Sequence, residues 1–138
     1  MFKNYLLFHK ALKEAADDFD FEEVRIQRKM YTFLLCIHYI LEQKKDEGME
    51  NPFVKTIEIF RATVFFKMQY DKPIVYNYVA KLERMGILEK VSKRSRIGKA
   101  QSYVTTHVGD YLLTHVHNHY QKAIMQYCDF TPKSIRDL

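Results

Sequence analysis

Glycine is scarce in this sequence and never clustered: Gly48, Gly86, Gly98 and Gly109 are the only four in 138 residues. That excludes a Gly-rich loop able to cradle a phosphate, and it leaves long stretches free to be helical. Cysteine is scarcer still. Cys36 and Cys128 are too few for a disulfide framework and read as small apolar side chains of a reduced, cytoplasmic protein. No apolar run is long enough to span a bilayer, and the start, MFKNYLLFHK, lacks the small-residue cleavage pattern of a secretory leader; no membrane association is expected. There is no HExxH, no nucleophile elbow and no ordering of Cys, His and Asp that would set a nucleophile beside a base. An enzyme is therefore not expected, and no cofactor is implied.

Apolar residues make up 47% of the chain, with ten Tyr and ten Phe. That is ample for one packed domain covering residues 1–138. The charge is distributed unevenly. Residues 71–103 hold eight basic side chains (Lys72, Lys81, Arg84, Lys90, Lys93, Arg94, Arg96, Lys99) and three acidic ones (Asp71, Glu83, Glu89), which equals the entire net charge of +5. A cationic excess confined to one short unit is the footprint of a polyanion-binding surface.

Periodicity orders the chain. Residues 2–16 place Phe2, Tyr5, Leu6, His9, Leu12, Ala15 and Ala16 on one helical face. Six acids without a base follow between residues 14 and 23, and Asp20 with Glu23 forms a capping box, with Phe19 and Val24 as its staple. A second helix is predicted over residues 21–45. Its centre, 30–41, is apolar nearly all round, which demands burial on several sides, in the domain centre or against a partner chain. Residues 44–52 read as a loop. A short strand is expected over 55–60 and a short helix over 61–68.

The following helix is sharply marked. Asp71 is its N-cap, Pro73 lies in the first turn, and Tyr70 can staple onto Val75. Gly86 fits a left-handed C′ position with Ile87 packing back on Leu82. Val75, Tyr78, Val79 and Leu82 form its inward stripe, while Lys72, Ile74, Tyr76, Asn77, Lys81 and Arg84 point elsewhere. Residues 87–91 and 100–105 are β-forming runs around a polar tip, a hairpin signature. A last helix over 108–127 turns Val108, Leu112, Val116, Tyr120, Ala123, Ile124 and Tyr127 inward. His115 and His119 share a face of it, above His107 and Tyr111; that spacing can hold a metal, but no further ligand is placed to complete a site, so no metal is expected.

The run DKPIVYNYVAKLERMGIL, with GKAQSYVTTHVGDYLL after it, resembles the recognition helix, wing and closing helix of the MarR-like winged helix-turn-helix transcriptional regulators, with PadR-like regulators a near second. The tip KRSRIGK lacks the acid that MarR-like wings carry before an arginine, and its Gly–Lys–x–x–x–Tyr pattern is nearer to PadR-like wings. The resemblance implies a mainly α fold with a small β-hairpin: a winged core at about residues 30–113, with N- and C-terminal dimerisation arms at about 1–29 and 110–128. It implies sequence-specific binding of double-stranded DNA by a homodimer built from the segment before Lys45 and the helix after Gly109. Helix 72–85 would enter the major groove, with Asn77 as the best candidate for a base edge, Ile74 and Tyr76 touching a thymine methyl or sugar, and Lys72 and Lys81 beside them. The wing, 92–99, would set Lys93, Arg94, Arg96 and Lys99 on phosphates and the minor groove. Proteins of this kind often respond to small aromatic anions, so the resemblance permits an effector of unassigned identity. The alternative is a winged-helix module that binds protein in a replication or conjugation complex.

Overall fold

The apolar centre of the second predicted helix is what the domain is built around. In the computed structural model, residues 13, 15, 16, 19, 28–65, 68, 70–91 and 101–128 are described, without the side chains of Phe65, Ile124, Gln126, Tyr127 and Cys128. Helix α1 (Arg28–Asp46) buries every residue from Met30 to Ile37, and Ile40 and Leu41 beyond them. Of the two ways to satisfy a helix apolar on all sides, this chain uses the domain centre: α1 packs on α4 (His107–Cys128) and on α2 (Thr56–Phe65). Ala15 and Ala16 are helical and buried in the same core. The capping box at Asp20 and Glu23, and most of the first helical face, lie outside the described residues.

Among the described residues, three short strands complete the frame: β1 (Val54–Lys55), β2 (Leu88–Lys90) and β3 (Ser102–Thr105). They form one antiparallel sheet in the order β1–β3–β2. Val54 pairs with Tyr103, and Leu88, Glu89 and Lys90 pair with Thr105, Val104 and Tyr103. With α3 (Lys72–Arg84) between α2 and β2, the order α1–β1–α2–α3–β2–β3–α4 is a winged helix-turn-helix, mainly α with a hairpin, as the sequence predicts. The hairpin tip, 92–100, lies outside the described residues.

The expected strand over 55–60 is corrected. It is two residues long, and the helix begins at Thr56. The cause is a capping interaction the alternation concealed. Glu58 accepts the Lys55 backbone N–H at 2.8 Å, the half of a capping box in which the N3 carboxylate reaches back to the N-cap. Lys44 reinforces it from α1, pairing with Glu58 at 2.8 Å and donating to the Phe53 carbonyl. Isolated residues of a β-like pattern yield to a helix start that satisfies backbone donors.

Val108 is also corrected. It is not inward but 55% exposed. Gly109, its neighbour, occupies the inward position: an added Cβ there would stand 2.2 Å from the Ile87 carbonyl oxygen. Thr106 caps α4, accepting the Gly109 N–H at 3.0 Å while its hydroxyl donates to the Gly86 carbonyl at 2.6 Å. The close approach fixes the helix rotation, so Leu112, Leu113, Val116 and Tyr120 face the core and Val108 faces out.

Candidate nucleic-acid interface

Helix α3 starts and stops where its sequence says it should. Asp71 has the extended backbone of an N-cap (φ −71, ψ 149), although its side chain makes no capping hydrogen bond; Pro73 sits in the first turn. At the other end the Ile87 N–H reaches the Leu82 carbonyl and the Gly86 N–H reaches the Glu83 carbonyl, both at 3.0 Å. Gly86 has φ +77. This is a Schellman ending, with Gly86 in the one conformation that side-chain-bearing residues resist. It passes the chain directly from α3 into β2.

Between these stops, Val75, Val79 and Leu82 are buried. Tyr78 is only partly buried; its ring lies 4.9 Å from Phe33, and Phe33 lies 5.1 Å from Tyr70. Tyr70 thus packs on α1 at the entrance to α3. The outward stripe consists of Lys72, Pro73, Tyr76, Asn77 and Arg84, all exposed. The Lys72 ammonium stands 5.8 Å from the Tyr76 ring centre, close enough for a cation–π contact that keeps the two side chains together.

Two sequence-predicted site residues sit differently. Ile74 is partly buried, packed against the core. Lys81 is partly buried, with its ammonium 5.6 Å from the Tyr78 ring, at the edge of the outward stripe. Lys93, Arg94, Arg96 and Lys99 lie outside the described residues. Lys72, Tyr76 and Asn77 are brought together at the N-terminal half of α3, the end that enters a major groove first in helix-turn-helix proteins.

Sequence reasoning missed a cation of α1 that packs on aromatic rings of α3 and of the segment before it. Lys29, on α1, stands 5.5 Å from the Tyr78 ring and 5.9 Å from the Tyr70 ring. Nothing in the local sequence links residue 29 to residues 70 and 78. Only the packing of α1 against the start of α3 does so.

The histidines also redistribute. His115 is exposed with its ring 4.4 Å from Tyr111. His119 turns inward, 3.3 Å from the Tyr31 hydroxyl, which donates to the Val116 carbonyl at 3.0 Å. His117 stacks on His38 of α1 at 4.3 Å, a pair that no spacing along the chain connects. Among the described residues no group of three or more His, Cys, Asp or Glu is placed to hold a metal ion. Burial pushes the Cys36 thiol up to about 12, so it carries no thiolate reactivity near neutral pH. No helix of the described residues is long and apolar enough to cross a membrane.

No protein-family model matches the sequence, and no curated protein matches it. Among solved structures the chain is similar to a type III plasmid segregation protein, TubR. The two share 16% sequence identity over 83% of this chain and 88% of that one, with a TM-score of 0.44.

Proposed function

We propose that this chain is a non-catalytic, cytoplasmic protein that binds double-stranded DNA sequence-specifically as a homodimer, a transcriptional regulator of the MarR-like or PadR-like kind. The observation that carries the reading is the outward stripe of α3. It is polar and cationic, with Tyr76 its one large apolar residue (42% exposed). A helix built to dock on a protein would present a broad apolar face instead.

An α-helix fits the major groove, and an amide there pairs with adenine through two hydrogen bonds. Asn77 is the side chain suited to that role, with Tyr76 beside it for a thymine methyl or sugar. Lys72, Arg84 and, from the stripe's edge, Lys81 neutralise phosphates. The basic tip residues Lys93, Arg94, Arg96 and Lys99 extend the same charge along the chain, and a wing of that composition belongs on the phosphate backbone or in a minor groove.

The test is fluorescence anisotropy with a duplex selected from a random library, titrated at two salt concentrations. Asn77→Ala is expected to weaken the selected duplex by about 1–3 kcal/mol, roughly 5- to 150-fold, while leaving random duplex unchanged. Arg84→Ala is expected to weaken both alike and to reduce the slope of log affinity against log salt by about 0.9. Arg94→Ala with Arg96→Ala should flatten that slope further. A wild-type chain that binds no duplex at low salt overturns the reading and favours the protein-binding module.

A further inference from the structure

Among the described residues, three ammoniums at and beside α3 rest on aromatic rings with no carboxylate in pairing distance. Lys72 lies against Tyr76, Lys81 against Tyr78, and Lys29 of α1 against both Tyr78 and Tyr70. The ion pairs among these residues, Lys44 with Glu58 and Lys45 with Glu42, involve none of the three. The difference matters for charge. A carboxylate beside an ammonium cancels most of its field, whereas a ring face attracts the ammonium and leaves its unit charge in place. These lysines are therefore localised and still unneutralised.

Lys29 belongs to α1 and not to the helix-turn-helix, yet Tyr78 ties it to α3. The Lys29 ammonium stands 5.5 Å from the centre of the Tyr78 ring, and the Lys81 ammonium 5.6 Å from the same centre. The two charges can be no farther apart than those distances laid end to end. With a Debye length of about 8 Å at physiological salt, their fields overlap. At 3.6 residues per turn, Lys81 falls between Asn77 and Tyr78 around α3. Asn77 lies on the exposed stripe, and Tyr78 on the flank that meets α1, its ring 4.9 Å from Phe33. The row Asn77, Lys81, Tyr78, Lys29 thus runs from the stripe across one flank of α3 and onto the start of α1. The platform under Lys29 is firm. Phe33, four residues on along the same face of α1, is buried and holds the Tyr70 ring at 5.1 Å as well.

A helix with its side chains is about 10–12 Å across and the major groove about 12 Å wide, so a helix seated there fills the groove. Side chains on its outward stripe meet base edges, and whatever projects beside its flank meets the sugar–phosphate rim. We infer that one strand of the bound duplex passes over the junction of α1 and α3, where Lys29, steadied by Tyr70 and Tyr78, contacts a phosphate. This contact presupposes the DNA-binding reading above and extends its footprint from the helix-turn-helix to the first helix of the core. The duplex carries one negative charge per about 1.7 Å of its axis, dense enough for Lys81 and Lys29 to meet neighbouring phosphates.

Salt dependence tests the contact. In Lys29→Met the stem still covers the two rings and the charge is gone. Its affinity for selected and for random duplex is expected to fall alike, and the slope of log affinity against log salt to shrink by about 0.9. Its loss is then about threefold greater at roughly 50 mM salt than at roughly 200 mM. Lys29→Arg keeps a cation on the rings and is expected to show the wild-type slope, which separates charge from packing even where the Met variant is less stable. Lys122→Met removes one exposed charge from α4, and its slope is expected to stay at the wild-type value. A wild-type slope in Lys29→Met, while Asn77→Ala still loses the selected duplex alone, would overturn the contact and leave the DNA-binding reading standing. Equal changes of slope in Lys29→Met and Lys122→Met would overturn it too, because the effect would then belong to net charge. A wild-type chain that binds no duplex would overturn both.

Discussion

Gly109→Ala is expected to destabilise the domain by about 3 kcal/mol, in the upper range for overpacking a tight site, and to lower its thermal midpoint by roughly 10 °C. The direction is informative because the ordinary expectation is the reverse. Within a helix, alanine is favoured over glycine by about 1 kcal/mol. Here the added methyl would stand 2.2 Å from the Ile87 carbonyl oxygen and 3.1 Å from its carbonyl carbon. Both are backbone atoms, so no side-chain rotation relieves the clash. The same carbonyl accepts the Thr106 N–H at 3.1 Å, and lifting α4 away would strain that bond and the Thr106 cap together. Thermal unfolding of the single variant decides the matter: a midpoint that rises would show that α4 separates from Ile87 without loss.

Acid should weaken the fold well before carboxylates protonate. His38 and His117 stack ring on ring between α1 and α4. Burial holds His38 down at about 3, helped by the nearby His117 and Lys45. Burial also lowers His117, against the opposing pull of Glu42. In the unfolded chain both imidazoles titrate near 6.5. The unfolded state therefore takes up protons first as pH falls. The stability from keeping His38 neutral is complete above pH 6.5 and is lost progressively between there and about 3. The loss is about 1.4 kcal/mol per pH unit, or about 2 kcal/mol by pH 5 for His38 alone. Urea unfolding at pH 7.5, 6 and 5 measures it. His38→Phe keeps an aromatic ring in place and is expected to remove most of the decline; an undiminished decline in that variant would assign the acid sensitivity to other groups.

The parts of the fold that were legible in the sequence are those specified by neighbours in the chain. Helix α3 shows its limits because Pro73 and Gly86 act locally, through a missing donor and a left-handed backbone. The hairpin shows itself because β-forming runs flank a polar tip. Most of what escaped was set by partners far away in sequence. Glu58 starts α2 because Lys44 and the Lys55 N–H converge on its carboxylate. Val108 faces outward because Gly109 must meet Ile87, and a helical periodicity alone cannot choose between two adjacent rotations of the same stripe. The same holds at the candidate interface. Tyr76 and Asn77 were readable as outward-facing from the helix pattern. Ile74 was not, because one residue on the border of a stripe is decided by the bulk of its neighbours. The stacking of His38 on His117 joins two helices, and no spacing within either one hints at it.

Ile87 joins three parts of the molecule through a single residue. Its N–H is held by the last turn of α3, its carbonyl by the start of α4, and its side chain is sealed in the core. A rotation imposed on α4, by a second subunit or by anything wedged beneath that helix, has a stiff linkage of two hydrogen bonds to the end of α3 and little slack in which to dissipate. The wing departs from the same pivot. Turning α4 would therefore carry the end of α3 and the start of β2 with it as one body, without unfolding either.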